Sequence, residues 1–392
     1  MTDHDLPARA RRVLPGGITR STVFVPPHPP YAVRGRGAVV TDSTGHQVID
    51  CNNNYTSLIH GHADPDVLAV SISAAQEGTA FGLPTPAEIT LAELLSERTG
   101  IEQWRFCNSG TEAVMMLLRA ARAHTGRDLI IRFDGSYHGT ADAVVSPSAA
   151  GIPRSAADSV LVLPQGDLEA VEDALRTHGR AVAAVLIDLM PNRAGLRRAD
   201  PRYVAELRRL TREYGALLAV DEVISFRLNT GGLHKEYGVD PDLVSVGKVI
   251  GGGFPVGAVG GSAEVLSSFS PHGTVSVGWG GTFSANPVTM AAGITALGKF
   301  GPSQVGELNA RGDGLRARMS AAGVAINGSG SLLRLLAKDA GALWWALYDR
   351  GVLAGTNGLL ALSTPMTADQ ITTVGDVILD VLQNEPDLLE TR

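Results

Sequence analysis

Residues 242–261, DLVSVGKVIGGGFPVGAVGG, decide how the chain is read. An apolar run, LVSV, leads into one lysine, Lys248, and the stretch holds seven glycines. The run has the character of a strand buried on both faces. The glycines after it let the chain turn sharply and let backbone approach closely. Lysine is otherwise scarce: only Lys235, Lys299 and Lys338 accompany Lys248. A composition that favours arginine, with Lys248 on the surface, is one account. The other is chemistry that needs an amine able to lose its proton and attack a carbonyl, which a guanidinium cannot do.

Outward from this stretch the pattern repeats. ALLAVDEV (216–223) and AVAAVLIDLM (181–190) are further continuous apolar runs, and WRFCN (104–108) and LIIRFDG are shorter ones. Between them lie amphipathic segments. TEAVMMLLRAARAHTG (111–126) has helical spacing and Gly126 as a stop. DPRYVAELRRLTREYG (200–215) has Asp200 as an N-cap and Pro201 just inside. Buried strands alternating with helices predict an α/β fold, a mostly parallel sheet with helices on its faces. The ends differ. YAVRGRGAVVTDSTGHQVID reads as a hairpin with a turn at Ser43-Thr44-Gly45. Beyond residue 325 come a short strand, the helix AGALWWALYDRG, the strand LLALST and a helix from Thr367. The expected organisation is a large domain over 56–300 and a smaller α+β domain built from 1–55 and 301–392.

At 392 residues the chain is long for one core. Its net charge of −7 argues against nucleic-acid or anionic-membrane binding. No run of about twenty apolar residues predicts a membrane span. MTDHDLPARARRVLPGG has no apolar core of a secretory signal, and Cys51 and Cys107 form no CxxC pair, so a reducing, cytoplasmic location is expected.

In open α/β sheets ligands bind outside the carboxyl ends of the strands, and three such ends carry chemistry here. In CNSGTEAV, small residues and a glycine open a helix, which aims backbone N–H groups and the positive helix end at one point. That is an anion site, most often for phosphate, although a plain N-cap by Asn108 or Ser109 uses the same residues. In AVDEV, Asp221 and Glu222 end an apolar strand, so at least one carboxylate stands at the ligand edge. Its burial needs a partner, either a protonated ring nitrogen or an arginine such as Arg227. Lys248 ends the next strand, where partial burial lowers an amine's pKa. Phosphate cradle, aspartate and lysine together meet the needs of pyridoxal 5′-phosphate. Tyr137, in GSYHGT, offers an aromatic face for its ring.

NSGTEA, YHG, DEV, GKVIGGGFPVGAVGG and GGTFSANP resemble, in order and spacing, the class III (fold type I) pyridoxal-phosphate aminotransferases over nearly the whole chain. Within that class the chain is similar to the branch of glutamate-1-semialdehyde aminomutase and the β-amino-acid (β-phenylalanine-type) aminotransferases. VLPGGITRSTVF, NYTSLIHGHADP and DEVISFRL look closer to the latter. The resemblance implies a seven-stranded sheet and a cofactor that cycles between pyridoxal and pyridoxamine phosphates. It implies amino transfer between a carboxylated amine, such as a β-amino acid, and a keto acid, with an aminomutase of the glutamate-1-semialdehyde type as the alternative.

The resemblance also implies roles. Lys248 forms the internal aldimine and shuttles the proton, while Asp221 keeps the pyridine nitrogen protonated. Val223 and Tyr137 pack on the two ring faces. Ser109, Gly110 and Thr111 hold the phosphate, and His138 belongs to the cofactor site. Gly281 and Thr282 reach the phosphate of a neighbouring subunit, which makes a homodimer with shared sites. Arg20 matches a carboxylate-binding arginine, and Tyr55 lines the pocket. Three departures stand out. Asn357 occupies the place of a second arginine. IDLMPNRAG (187–195) replaces a Glu-Pro-Met-Gln run, which brings in Arg193 as a substitute positive charge. The segment between Ser331 and Gly341 is short.

Rival chemistries fit poorly. GITALGKF (293–300) has Phe300 where a P-loop needs Ser or Thr, and no GxGxxG follows a strand. His60 and His62 lack a carboxylate or cysteine at ligand spacing, so no metal is expected.

Overall fold

The structure is a computed structural model that describes residues 6–273 and 275–391. The chain divides into two compact units. One runs to Asp64 and resumes at Gly306, and the other spans Pro65–Val305.

The Pro65–Val305 unit is built on a seven-stranded sheet. Its strands are β1 (Gln103–Cys107), β2 (Leu129–Phe133), β3 (Val160–Leu163), β4 (Val182–Asp188), β5 (Leu217–Asp221), β6 (Leu243–Gly247) and β7 (Gly257–Gly261). They lie in the order β1-β7-β6-β5-β4-β2-β3. Only β7 runs against its neighbours; the other pairings are parallel. Every residue of β4, β5, β6 and β7 is buried. That explains why their sequences read as unbroken apolar runs rather than alternating ones.

Three helices make crossovers: α1 (Gly110–Thr125) after β1, α2 (Leu168–His178) after β3 and α3 (Pro201–Tyr214) after β4. α1 buries Ala113, Val114, Leu117, Leu118, Ala120 and Ala121, a stripe at helical spacing, and Gly126 ends it in a left-handed cap at φ 65°. Asp200 caps α3 through the N–H of Arg202, with Pro201 at the first turn.

The glycines of β7 have a steric cause. A Cβ on Gly257 would lie 2.1 Å from the carbonyl oxygen of Ser109. Only glycine lets the loop that opens α1 lie against the sheet there.

β4 and β5 are shorter than their apolar runs, and β6 goes only one residue beyond LVSV. β4 stops at Asp188, whose Oδ1 accepts the N–H of Met190 and turns the chain. β5 stops at Asp221, whose Oδ1 does the same for Val223. β6 stops at Gly247 because Lys248 adopts φ 51°. The acids and the lysine thus end their own strands.

The other unit carries two small sheets. Ala32–Arg36, Val39–Asp42 and Gln47–Asp50 form an antiparallel meander, and Val352–Leu353 adds in parallel. Its turn is tied by Asp42 Oδ1, which accepts the N–H of Thr44 at 2.9 Å and the Thr44 hydroxyl at 2.7 Å. Ile326–Ser329, Leu332–Leu335 and Leu359–Ala361 form the second sheet. Val25, Val40, Val48, Trp344 and Tyr348 make a core cluster in which Trp344 and Tyr348 stack at 4.9 Å. Thr367 and Gln370 close a capping box on the last helix, Ala368–Asn384. Residues up to Asp64 stay with this unit because backbone bonds hold them: His62 pairs with Gly37 in both directions, and Thr364 N–H donates to Ile59.

Candidate active site

Three strand ends meet. A Cβ on Gly247, just before Lys248, would lie 3.5 Å from Val223 Cγ1 and 3.8 Å from Gly110 Cα. A Cβ on Gly110 would lie 2.8 Å from Val223 Cγ1. The turn after β5, the start of α1 and the end of β6 therefore touch.

Lys248 is partly buried and sits in the left-handed region. For a residue with a side chain that conformation costs about 1–3 kcal/mol, and such strain collects at functional sites. Burial pushes its amine down to about 8, against the opposing pull of Asp221 and Asp188. About a tenth of the amines are then neutral at pH 7, against well under a hundredth for an ordinary lysine.

Asp221 is buried at the end of β5. Burial alone would raise its pKa. The hydrogen bond and charge of His138, helped by the Val223 N–H and the Ser245 hydroxyl, outweigh that and hold it below the usual carboxylate range. His138 Nδ1 lies 2.7 Å from Asp221 Oδ2, and Ser245 Oγ donates to Oδ1 at 3.0 Å. With Nδ1 donating, Nε2 is the other ring position, and it is buried with no partner. Glu222 points elsewhere, accepting the backbone N–H groups of Leu233 and His234.

Asp188 and Ser245 are site residues that the sequence reading missed. Asp188 pairs in register with Asp221 across β4 and β5. Burial and the charge of Asp221 push its carboxyl up to about 7. Its signal was available: it is a third acid ending an apolar strand beside one already singled out. A folded-state pKa above the unfolded value means that stability is full at low pH and is lost as pH rises towards 7. Asp188→Asn should remove that loss. Measured by thermal unfolding without added cofactor, the variant's advantage over wild type should grow between pH 4 and 7 and then level off. An advantage independent of pH would contradict the raised pKa.

Ser109 caps α1, its hydroxyl accepting the N–H of Glu112 at 3.1 Å. The N–H groups of Gly110 and Thr111 are first-turn donors without helical acceptors. The cap thus leaves the Gly110 and Thr111 donors, which are the ones the anion-site account uses. A Cβ on Gly281 would lie 3.5 Å from Asn108 Nδ2, and Thr282 is exposed. Tyr137, next to His138, is half-buried, and the Arg193 guanidinium lies 4.0 Å from its ring centroid.

The expected substrate residues are gathered in the other unit. Arg20 Nη1 donates to Asn54 Oδ1 at 2.8 Å. The Tyr55 hydroxyl donates to the carbonyl of Thr22 and pairs with Thr356 Oγ1 at 3.0 Å. Asn357 Oδ1 accepts the N–H of Leu359 in the adjoining turn. Asn53, Asn54, Tyr55 and Thr56 all have positive φ, between 48° and 76°. Asparagine tolerates this; tyrosine and β-branched threonine do not, so the surrounding bonds must enforce it.

The donor set of the large unit fits pyridoxal 5′-phosphate. The first turn of α1 suits its phosphate, the charged Asp221 suits a protonated ring nitrogen, and the amine of Lys248 suits its aldehyde. Comparison with known proteins agrees. The model of the family described as Aminotransferase class-III matches residues 25–322. The glutamate-1-semialdehyde 2,1-aminomutase of Haloquadratum walsbyi is 42% identical over 314 residues, 76% of this chain and 70% of that protein. An omega-transaminase from Sphaerobacter thermophilus superposes with a TM-score of 0.94 at 44% identity, covering 97% of both chains. A β-phenylalanine aminotransferase from Variovorax paradoxus gives 0.92 at 34%, covering 100% of this chain and 95% of that one. The chain belongs to the class-III aminotransferases, and its cofactor is pyridoxal 5′-phosphate.

Proposed function

We propose that this aminotransferase takes its amino group from a β-amino acid or a closely related carboxylated amine, and that Lys248 and Asp221 are its central residues. The observation that carries the reading is the meeting of a low-pKa amine, a charged buried carboxylate and the donors of α1 at adjoining strand ends. When bound, pyridoxal phosphate supplies an aldehyde that exchanges amines and a ring that withdraws electrons.

This chain's residues do the rest. The Gly110 and Thr111 N–H groups, with Ser109, bind phosphate. Asp221 would hold a proton on the cofactor's ring nitrogen, and His138 and Ser245 fix that carboxylate. Val223 and Tyr137 would pack against the ring and orient it. Lys248 Nζ would hold the cofactor's aldehyde and, when not so engaged, would take and return the proton of the carbon that bears the donor's amine. Arg20 grips the donor's carboxylate, and Tyr55 and Asn357 shape the pocket.

A homodimer completes the reading, with Gly281 and Thr282 serving the partner's phosphate. Phe81 and Leu83 are exposed and line a 240 Å³ cavity with Thr282 and Ser284, and Phe283 is exposed as well, apolar surface that a second copy would cover. Cys51 and Cys107 are free and buried, which suits a reducing cytoplasm.

The test is a donor panel followed by the cofactor's absorbance. β-Amino acids should convert it to the amine form, and a panel without conversion sinks the reading. Arg20→Ala should raise the Michaelis constant for such donors on the order of 10–100-fold with little change in kcat, the worth of a charged hydrogen bond. Unchanged constants would remove Arg20 from the site. The curated relative's name favours a second reading, an aminomutase. Labelled nitrogen kept within one molecule, with no keto acid added, would select it.

A further inference from the structure

Arg193 is an exposed cation that makes no ion pair among the described residues. Its guanidinium lies instead over Tyr137, 4.0 Å from the ring centroid. A guanidinium stacked on a ring keeps its in-plane N–H edge free, and that edge is the part that forks onto a carboxylate.

The loop that carries it is fixed. Leu196 N–H donates to Pro191 at 3.0 Å and Gly195 N–H to Asn192 at 3.2 Å. Ala194 packs closely against the backbone of Gly135, which joins this loop to the one bearing Tyr137. Both loops are anchored to the site: His138 bonds Asp221, and Asp188, five residues before Arg193, faces Asp221 across the sheet.

We propose that Arg193 is the carboxylate-recognition residue of the keto-acid half-reaction, held by Tyr137 with its N–H edge towards the substrate. This rests on the aminotransferase reading above. A β-amino donor and a keto acceptor carry their carboxylates at different distances from the reacting carbon, and one fixed arginine serves one geometry best. Arg193 serves the acceptor's.

The test uses the cofactor-loaded enzyme with the two half-reactions measured separately, pyruvate being the acceptor. Arg193→Ala should lower the acceptor half-reaction on the order of 10–100-fold, mainly through the Michaelis constant, and the donor half-reaction by less than about three-fold. Arg193→Lys should recover part of the loss, since it keeps the charge without the fork. Calorimetric titration with succinate, which cannot react, should show affinity falling by a similar factor in Arg193→Ala. Equal losses in both half-reactions, or unchanged pyruvate and succinate binding, would overturn the proposal. So would loss of bound cofactor from the variant, since Arg193 would then serve the cofactor instead. Should wild type fail with every donor, the aminotransferase reading fails, and the succinate titration still judges Arg193.

Discussion

Lys248→Ala should keep no more than about one ten-thousandth of wild-type turnover while folding as well as wild type. A neutral amine at this point is both nucleophile and proton carrier, and an acid–base role alone is worth on the order of 10²–10⁴-fold. Stability should not suffer. Lys248 holds φ 51°, and its charged form is opposed by burial. Alanine keeps the backbone strain and removes the buried charge. Lys248→Gly removes both and should unfold at a higher temperature, by the equivalent of about 1 kcal/mol. A site residue whose loss destroys activity and spares or raises stability is one that the fold carries for chemistry. Steady-state kinetics beside thermal unfolding of both variants will show it. A variant that keeps a hundredth of the activity, or unfolds well below wild type, would place Lys248 in the scaffold.

Asp221→Asn should lower kcat on the order of 10²–10³-fold, the usual worth of one preorganised electrostatic partner in a water-poor site. Asparagine keeps the shape and an oxygen for the Val223 N–H and the Ser245 hydroxyl. It loses the charge that His138 supports from 2.7 Å and that a protonated ring nitrogen would need. The acid limb of stability should change too. Because the native carboxyl sits below its unfolded value, it stabilises the fold above the unfolded pKa, and that contribution is lost as pH falls through the folded one. The variant's acid unfolding should therefore be shallower. Full activity in Asp221→Asn would show that the ring needs no charge at this edge.

The chain's periodicity made the large unit legible. Three continuous apolar runs, two shorter ones and the helices between them were enough to predict a mostly parallel sheet, because burial on both faces leaves few polar positions to confuse the pattern. Lys248, Asp221 and Gly110 were legible for a related reason: each breaks an apolar run at its carboxyl end or opens a helix with small residues. β7 was harder. GAVGG has no strand propensity, and its pairing depends on Cβ atoms being absent where Ser109 and Trp104 press in. Asp188 was visible as a further acid near the end of an apolar run, but its register with Asp221 is set by the sheet and was not. The bond between His138 and Asp221 joins residues 83 apart and is tertiary throughout. The left-handed turn at 53–56 was out of reach as well. Two asparagines hint at it, but Tyr55 and Thr56 argue against it, and only bonds such as those from Tyr55 to Thr22 and Thr356 enforce it.

The central claim is that one of four lysines carries the cofactor, and it is tested most directly by trapping. The purified protein is saturated with pyridoxal 5′-phosphate, reduced with borohydride, digested and read by mass spectrometry. A phosphopyridoxyl mass on Lys248, with Lys235, Lys299 and Lys338 unmodified, is the predicted result. The same mass on another lysine, or on none, would contradict the account.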